Sequence, residues 1–252
     1  MIKYKTPEEI KVMQHGGHIL AETLAEVMDA VKPGVSELEL DQLAERLIRE
    51  RGGEPGFQKV KGYHHTICMS TNDVVVHGIP GSYRFKEGDV VGVDCGVFYK
   101  GFHTDMSDSK RIKKVGSKDD DIDTFLQVGK HALDEAFKVA IIGNRIGHIS
   151  KTIQDIVEGS GYSVVRSLIG HGVGRDLHEE PEVPGYMNRA LQKTPLLKEG
   201  MTIAIEVIYN KGKKAVSLDD DGWTIRTADG SMAGLYERTV GIVKDGPLMI
   251  TK

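Results

Sequence analysis

KEGDVVGVD at residues 86–94 and KEGMTIAIE at residues 198–206 are two copies of one pattern. Each copy has Lys-Glu-Gly, five further residues that are mostly apolar, and then a carboxylate, Asp94 or Glu206. Such β-branched apolar runs are typical of buried strands. A His-x-x-Pro sequence precedes the copies at 77–80 and 178–181. Two features repeated in one order predict an internally duplicated single domain, with halves at about 1–120 and 121–252 and the functional site where they meet.

Helix patterns precede the strands in both halves. Capping boxes begin at Thr6 and at Ser36, and apolar residues follow each at helical spacing. The same spacing predicts two helices in the second half, over 122–139 and 149–157. Strands are predicted over 88–99, 163–166, 200–209 and 235–243. Helix pairs followed by strands in each half indicate an α+β fold.

Bulk composition excludes several classes of protein. The chain has 252 residues, 39% of them hydrophobic and 28% charged, with a net charge of −4. This balance is typical of a globular protein and argues against DNA as a partner. The first residues lack an apolar signal core, and no apolar run approaches membrane-spanning length. We therefore expect a cytoplasmic protein without a membrane partner. The basic run 211–214 is interpreted as a solvated loop, with ribosome contact as the alternative.

Three carboxylates lie inside apolar strands: Asp94, Glu206 and Glu237. An unpaired ionised carboxylate in a buried strand costs several kcal/mol unless a counter-charge or a metal ion is near. One such acid is explained simply if it faces water, because strand side chains alternate. Three of them, two at equivalent places in a repeat, favour a bound metal. Arg238 adjoins Glu237 but is expected on the opposite face of its strand.

Two more residues complete a candidate ligand set. Asp105 lies eleven residues after Asp94, and a turn predicted at 99–101 would fold it back beside that residue. His171 could supply a nitrogen ligand. Oxygen ligands with one histidine suit Mn²⁺, Fe²⁺, Co²⁺ or Zn²⁺. Four carboxylates would overcharge one divalent ion, whereas two ions would nearly balance them, which predicts two-metal hydrolysis.

The stretch GHGVGRDLHEEP at 170–181 fits none of the common motifs. Arg175 stands where a dinucleotide-binding loop needs its last glycine, and Glu182 stands where H-E-x-x-H needs its second histidine. The glycines around His171 are expected to allow close backbone approach. Glu179 and Glu180 are expected either to support the site from outside its ligand set or to be structural.

Five ordered segments resemble type I methionine aminopeptidases of the pita-bread fold. They are NDVVVHGIP (72–80), VDCGVFYKGFHTD (93–105), GHGVGRDLHEEP (170–181), GMTIAIEV (200–207) and YERTV (236–240). The resemblance covers nearly the whole chain. It implies internally duplicated halves whose antiparallel sheet is covered by helices. It also implies a monomeric enzyme that removes the initiator methionine from nascent chains when the second residue is small.

The resemblance also assigns roles to individual residues. The metal ligands would be Asp94 (bidentate), Asp105 and Glu237 (bridging), His171 and Glu206. Glu206 would in addition act as general base, His178 would hydrogen-bond the scissile carbonyl and the oxyanion, and His77 would contact the substrate backbone. Tyr63, Cys68, Leu177 and Trp223 match positions that line the methionine pocket. For His77 and His178 the competing interpretation is a structural histidine, and for the four pocket residues it is plain core packing.

The chain departs from the usual pattern around this pocket. The stretch 63–68 is about two residues short, and Leu177 stands where Phe is common. Val207 and Arg238 replace the usual Pro and His. These changes bear on pocket shape and specificity, while the metal ligands are all present. Two alternatives remain: an X-Pro aminopeptidase or prolidase-like hydrolase of the same fold, and a non-catalytic pita-bread binding protein.

Overall fold

A computed structural model describes residues 1–114 and 116–252 of the chain. Its helices are α1 (Pro7–Ala30), α2 (Glu37–Glu50), α3 (Asp121–Lys138) and α4 (Ile146–Gly159), with 3₁₀ turns at Phe57–Lys59 and Leu191–Lys193. Its strands are β1 (Glu54–Pro55), β2 (Ile67–Thr71), β3 (Val74–Val76), β4 (Val90–Tyr99), β5 (Phe102–Arg111), β6 (Ser163–Val164), β7 (Gly170–Gly172), β8 (Glu179–Val183), β9 (Thr202–Asn210), β10 (Val216–Leu218), β11 (Ile225–Thr227), β12 (Ala233–Val243) and β13 (Gly246–Met249).

The predicted capping boxes start the first two helices. The Thr6 side chain accepts a hydrogen bond from the Glu9 amide, and the Glu9 carboxylate accepts one from the Thr6 amide at 2.8 Å. Ser36 and Glu39 make the same reciprocal pair at the start of α2. These bonds satisfy amides that have no partner within the helix. In the second half, α4 begins three residues before the predicted start, at Ile146.

One antiparallel sheet forms the centre of the molecule. Its strand order is β1-β4-β5-β12-β9-β7-β8, with β2, β6 and β13 paired to β4, β9 and β12. A smaller sheet has the order β10-β11-β3. The two strands that end the repeated pattern, β4 and β9, lie on either side of the β5–β12 pair. The internal duplication, with its boundary near residue 120, stays a prediction.

The helices cover one face of this sheet through two apolar cores. Val91, Val93 and Val97 of β4 pack with α1 and α2 residues, whereas Ile203 and Ile205 of β9 pack with α3 and α4 residues. Because side chains alternate along a strand, the positions between these residues point to the opposite face. The predicted α+β architecture, an antiparallel sheet covered by helices, is confirmed.

None of the helices in the described part of the chain combines the length and apolar character needed to span a membrane.

Candidate metal centre

Strand register brings the four predicted carboxylates together on the face of the sheet opposite the helices. Glu237 of β12 pairs directly with Glu206 of β9. Ser107 of β5 pairs with Glu237 on one side and with Asp94 of β4 on the other. Directly paired residues share a face, and so does Asp105, which lies two residues before Ser107. The hairpin between β4 and β5, which turns at 100–101, therefore folds Asp105 back toward Asp94 as predicted.

His171 joins this set from β7. It pairs with Ala204, two residues before Glu206, and its Nε2 lies 3.5 Å from Glu206 Oε1 and 4.0 Å from Asp105 Oδ2. The Nδ1 of His171 lies 2.8 Å from the Gly172 carbonyl oxygen. A carbonyl only accepts hydrogen bonds, so this contact places the proton on Nδ1 and leaves the Nε2 lone pair free. Burial and the nearby His178 lower the pKa of His171 to about 4, which keeps the ring neutral at physiological pH.

The glycines that flank His171 are needed for close packing of β7, as predicted. A Cβ at Gly170 would lie 2.4 Å from the Ala204 carbonyl oxygen, and one at Gly172 would lie 2.3 Å from the Glu180 carbonyl oxygen. Both separations are shorter than real Cβ contacts. Larger residues at either position would push the neighbouring strands away from His171.

The electrostatics of the four carboxylates demand a counter-charge. Burial and mutual repulsion raise the pKa values of Asp105 and Glu237, and burial is also the main cause of the raised pKa values of Asp94 and Glu206. Asp94 Oδ1 and Glu237 Oε1 are buried, and neither finds a hydrogen-bond partner among the described residues. Buried oxygens that lack donors, grouped with other acids, are the expected surroundings of a bound cation.

Ligand distances and donor types fit a divalent metal. Asp105, His171 and Glu237 each offer one donor atom, and these atoms lie within 4.8 Å of one another. Carboxylate oxygens with one imidazole nitrogen suit first-row divalent metals. The residues of this face therefore fit the metal that the sequence predicts.

Two further histidines stand at the rim of this face. His77 directly follows β3 and has φ of 58°, a left-handed conformation that is uncommon for residues other than glycine. Burial lowers the pKa of His77. His178 is exposed, and its ring centroid lies 4.3 Å from that of His171. Both rings therefore border the carboxylate face, and they reach it from loops or strand ends.

An apolar pocket adjoins the carboxylates. Tyr63 and Trp223 form one wall, with ring centroids 5.1 Å apart, and the Tyr63 hydroxyl donates to the Ile67 carbonyl at 2.7 Å. Cys68 pairs with Asp94 across β2 and β4, so the pocket and the acids share one face. The combined cavity has about 570 Å³ of empty space, part of which is open to solvent. It is lined by Phe57, Val60, Tyr63, Cys68, His77, Asp94, Asp105, His171, Leu177, His178, Glu206, Trp223 and Glu237.

All eleven predicted site residues thus line one cavity, together with two that sequence reasoning missed. Phe57 and Val60 lie in and just after a 3₁₀ turn, where no periodic pattern marks them. One sequence feature could have pointed to Phe57. A Cβ at Gly96 would lie 2.6 Å from the Phe57 ring, so the glycine inside β4 marks the place where that ring packs.

Two charged residues beside the site have structural contacts. The side chain of Glu179 is buried and lies 2.5 Å from Lys5 Nζ, and it also accepts bonds from two loop amides. Arg238 points to the helix side of the sheet, where it pairs with Asp108 at 2.9 Å. These contacts confirm the expected structural role of Glu179 and the expected orientation of Arg238.

The antiparallel α+β fold and its buried carboxylate–histidine face define a metal-dependent hydrolase. The sequence pattern of metallopeptidase family M24 matches residues 11–229, and the chain belongs to this family. Membership of this metallopeptidase family supports the use of a divalent metal.

Similar proteins cover the chain from end to end. A protein of Clostridium perfringens named methionine aminopeptidase is 41% identical over 251 residues, which is 100% of this chain and 99% of that protein. A crystal structure of methionine aminopeptidase from Thermotoga maritima superposes with a TM-score of 0.95 at 36% identity, with full coverage of both chains. The prolidase from Pyrococcus furiosus has a TM-score of 0.78 at 25% identity, and the match covers 99% of this chain but 65% of the prolidase. These likenesses confirm the predicted pita-bread fold.

Proposed function

We propose that this chain is a methionine aminopeptidase that removes the initiator methionine from nascent proteins by attack of a metal-activated water on the first peptide bond. The observation that carries this proposal is the placement of five candidate metal ligands directly beside an apolar pocket. The pocket can take an unbranched apolar side chain while the ligands face its backbone. The full-length relatives that bear the name methionine aminopeptidase support the same activity.

We propose two divalent ions, drawn from Mn²⁺, Fe²⁺, Co²⁺ and Zn²⁺. Four ionised carboxylates would leave one divalent ion with an excess of negative charge, and a second ion removes that excess. Asp94, Asp105, His171, Glu206 and Glu237 would hold them. When bound, such ions lower the pKa of a coordinated water toward neutrality and polarise the attacked carbonyl.

The residues around the cavity would divide the remaining work. Glu206, itself one of the proposed ligands, would also accept the proton of the attacking water, because its carboxylate lies on the face where that water would be held. The exposed ring of His178 would donate a hydrogen bond to the carbonyl oxygen as negative charge develops there. His77 would hold the substrate backbone near the scissile amide.

Pocket geometry supports methionine as the residue removed. The walls are apolar and aromatic: Phe57, Val60, Tyr63, Leu177 and Trp223. A flexible thioether side chain packs well against such rings. Substrate downstream of the scissile bond would leave by the open groove that runs from Gly170 past Glu180 to Glu182.

The alternative is an X-Pro peptidase of the same fold, which is suggested by the structural likeness to a prolidase. A test of both uses Met-Gly-Met-Met and an X-Pro peptide, each with titrated Mn²⁺, Fe²⁺ or Co²⁺ after treatment with a chelator. We expect release of the first methionine only when metal is restored, and no turnover of the X-Pro peptide. The reverse preference would establish the prolidase-like activity, and turnover of neither peptide would favour a binding protein.

We further propose a monomer that works in the cytoplasm, where nascent chains carry the initiator methionine. Ribosome contact would involve the run 211–214, although Lys211 already pairs with Asp121 at 2.9 Å. Charge reversal at Lys213 and Lys214 should weaken co-sedimentation with ribosomes. Unchanged co-sedimentation would exclude this contact.

A further inference from the structure

A buried ion pair lies beneath the loop that carries Leu177 and His178. Lys5 Nζ is 2.5 Å from Glu179 Oε2, and the two side chains are 3% and 1% exposed. The other oxygen of Glu179 accepts hydrogen bonds from the Arg175 amide at 2.9 Å and the Asp176 amide at 3.2 Å. Glu179 therefore fixes the backbone on the loop side of His178. The positive charge of Lys5 offsets the cost of burying the Glu179 carboxylate.

Lys5 is itself held at both ends. Its amide donates to the Gly200 carbonyl at 2.7 Å, just before β9, the strand that carries Glu206. Its side chain then passes under Gly174, where a Cβ would lie 2.3 Å from Lys5 Cε. The segment thus connects the base of β9 to the loop that carries His178. One lysine therefore contacts both the segment before the strand of Glu206 and the loop of His178.

The other ion pairs between the same segments each involve an exposed basic side chain. Lys3 Nζ lies 2.5 Å from Asp176 Oδ2 and 3.6 Å from Glu179 Oε1, and the Lys3 side chain is 48% exposed. Arg175 pairs with Glu9. Exposed pairs of this kind contribute little because water screens them. Lys3 is therefore the control for Lys5: it has the same charge and also approaches Glu179, but from an exposed side chain and at a longer distance.

We infer that Lys5 is a positioning residue for His178: its buried pair with Glu179 sets the place of the imidazole relative to the scissile carbonyl. This inference rests on the role proposed for His178. A positioning residue affects the rate of the reaction, whereas a residue that only stabilises the fold does not. Misplacement of a reacting group by about 1 Å can cost about 10²-fold in rate.

A double-mutant cycle on the metal-loaded enzyme tests the inference. Lys5→Met should lower kcat for Met-Gly-Met-Met about 10- to 100-fold with little change in KM, at a temperature well below the Tm. In a His178→Ala background, the same change should cost less than about twofold, because the group that it aligns is gone. Lys3→Met should stay within about twofold, and Lys5→Arg should keep most activity. Equal effects of Lys5→Met in both backgrounds would overturn the inference.

A spectroscopic measurement keeps the test independent of turnover. In histidine-labelled protein with Zn²⁺, the His178 ring cross-peak should shift in Lys5→Met and stay in place in Lys3→Met. An unmoved cross-peak overturns the inference even if peptide assays disprove the proposed function. If Lys5→Met melts below the assay temperature, Lys5→Met/Glu179→Gln removes the uncompensated charge and should show the same shift.

Discussion

The candidate metal ligands and the two rim histidines are held in different ways. Asp94, Asp105, Glu206 and Glu237 lie on one face of four adjacent strands, so the ladder of backbone hydrogen bonds fixes their spacing. The positions of the two rim histidines instead depend on local features of the backbone and of one loop. His77 has a left-handed backbone, and His178 lies beside a loop held by the Lys5–Glu179 pair.

This difference follows from what each group would do. Metal ligands must meet at fixed distances, and a sheet supplies them through register alone. Groups that contact a passing substrate must stand above the sheet, where neighbouring strands no longer define their position. Changes to ligands should therefore abolish chemistry without loss of the fold, and changes to the rim should give graded losses.

The largest effect on kcat is expected at a candidate metal ligand on the sheet. Glu206→Gln keeps the shape of the side chain but removes the proposed base and one ligand charge, so kcat should fall about 10³- to 10⁴-fold. Peptide assays with saturating metal, together with circular dichroism, measure the two parts of this expectation. Glu199→Gln, an exposed acid just before the same strand, is the matched control. A near-normal kcat in Glu206→Gln would remove Glu206 from the mechanism.

A smaller loss is expected at the rim. His178→Ala removes one proposed donor to the oxyanion, so kcat should fall about 10²- to 10³-fold while metal affinity stays unchanged. Steady-state kinetics and metal titration measure the two quantities separately. The control is His131→Ala, on the exposed side of α3. An effect confined to KM would show that His178 only binds substrate.

The smallest effect on kcat is expected for a residue on the helix-covered face of the sheet. Tyr209 lies on the helix side of β9, fully buried, and its hydroxyl donates to the Phe125 carbonyl at 2.6 Å. Tyr209→Phe loses this bond, so the free energy of unfolding should fall by about 1 kcal/mol and the Tm by roughly 2–4 °C. Because register holds Glu206, kcat should stay within about twofold. A large loss of kcat would mean that helix packing, as well as pairing, sets the ligand positions.

Much of the fold could be predicted because its elements are locally determined. The capping boxes at Thr6 and Ser36 start helices where expected, and the apolar runs that end in Asp94 and Glu206 are strands. The smaller sheet was not predicted as a sheet. Its strand β3 is three valines long, and its partner β11 lies about 150 residues away along the chain. No local sequence pattern predicts a pairing between strands so far apart along the chain.

Site residues could be predicted where strand alternation or a short turn fixes the position of the side chain. Residues whose positions depend on tertiary packing could not be predicted in this way. Asp105 follows from a hairpin whose register is set by a short turn. Tyr63, Cys68, Leu177 and Trp223 were assigned by resemblance alone, and their place in the cavity leaves their binding role a prediction. The Lys5–Glu179 contact joins residues far apart in sequence, and a lysine near the start of a chain carries no mark of burial.

The pairing between β5 and β12 has a further consequence. These strands share only two register pairs, Glu237 with Ser107 and Arg238 with Met106, whereas β9 and β12 share nine. Asp94 and Asp105 lie on one side of this narrow join, and His171, Glu206 and Glu237 lie on the other. An ion held by residues of both groups is therefore also a cross-link, and at a hundred times its Kd it would stabilise the chain by about 2.7 kcal/mol. Metal supply would then govern the lifetime of the folded enzyme as well as its rate.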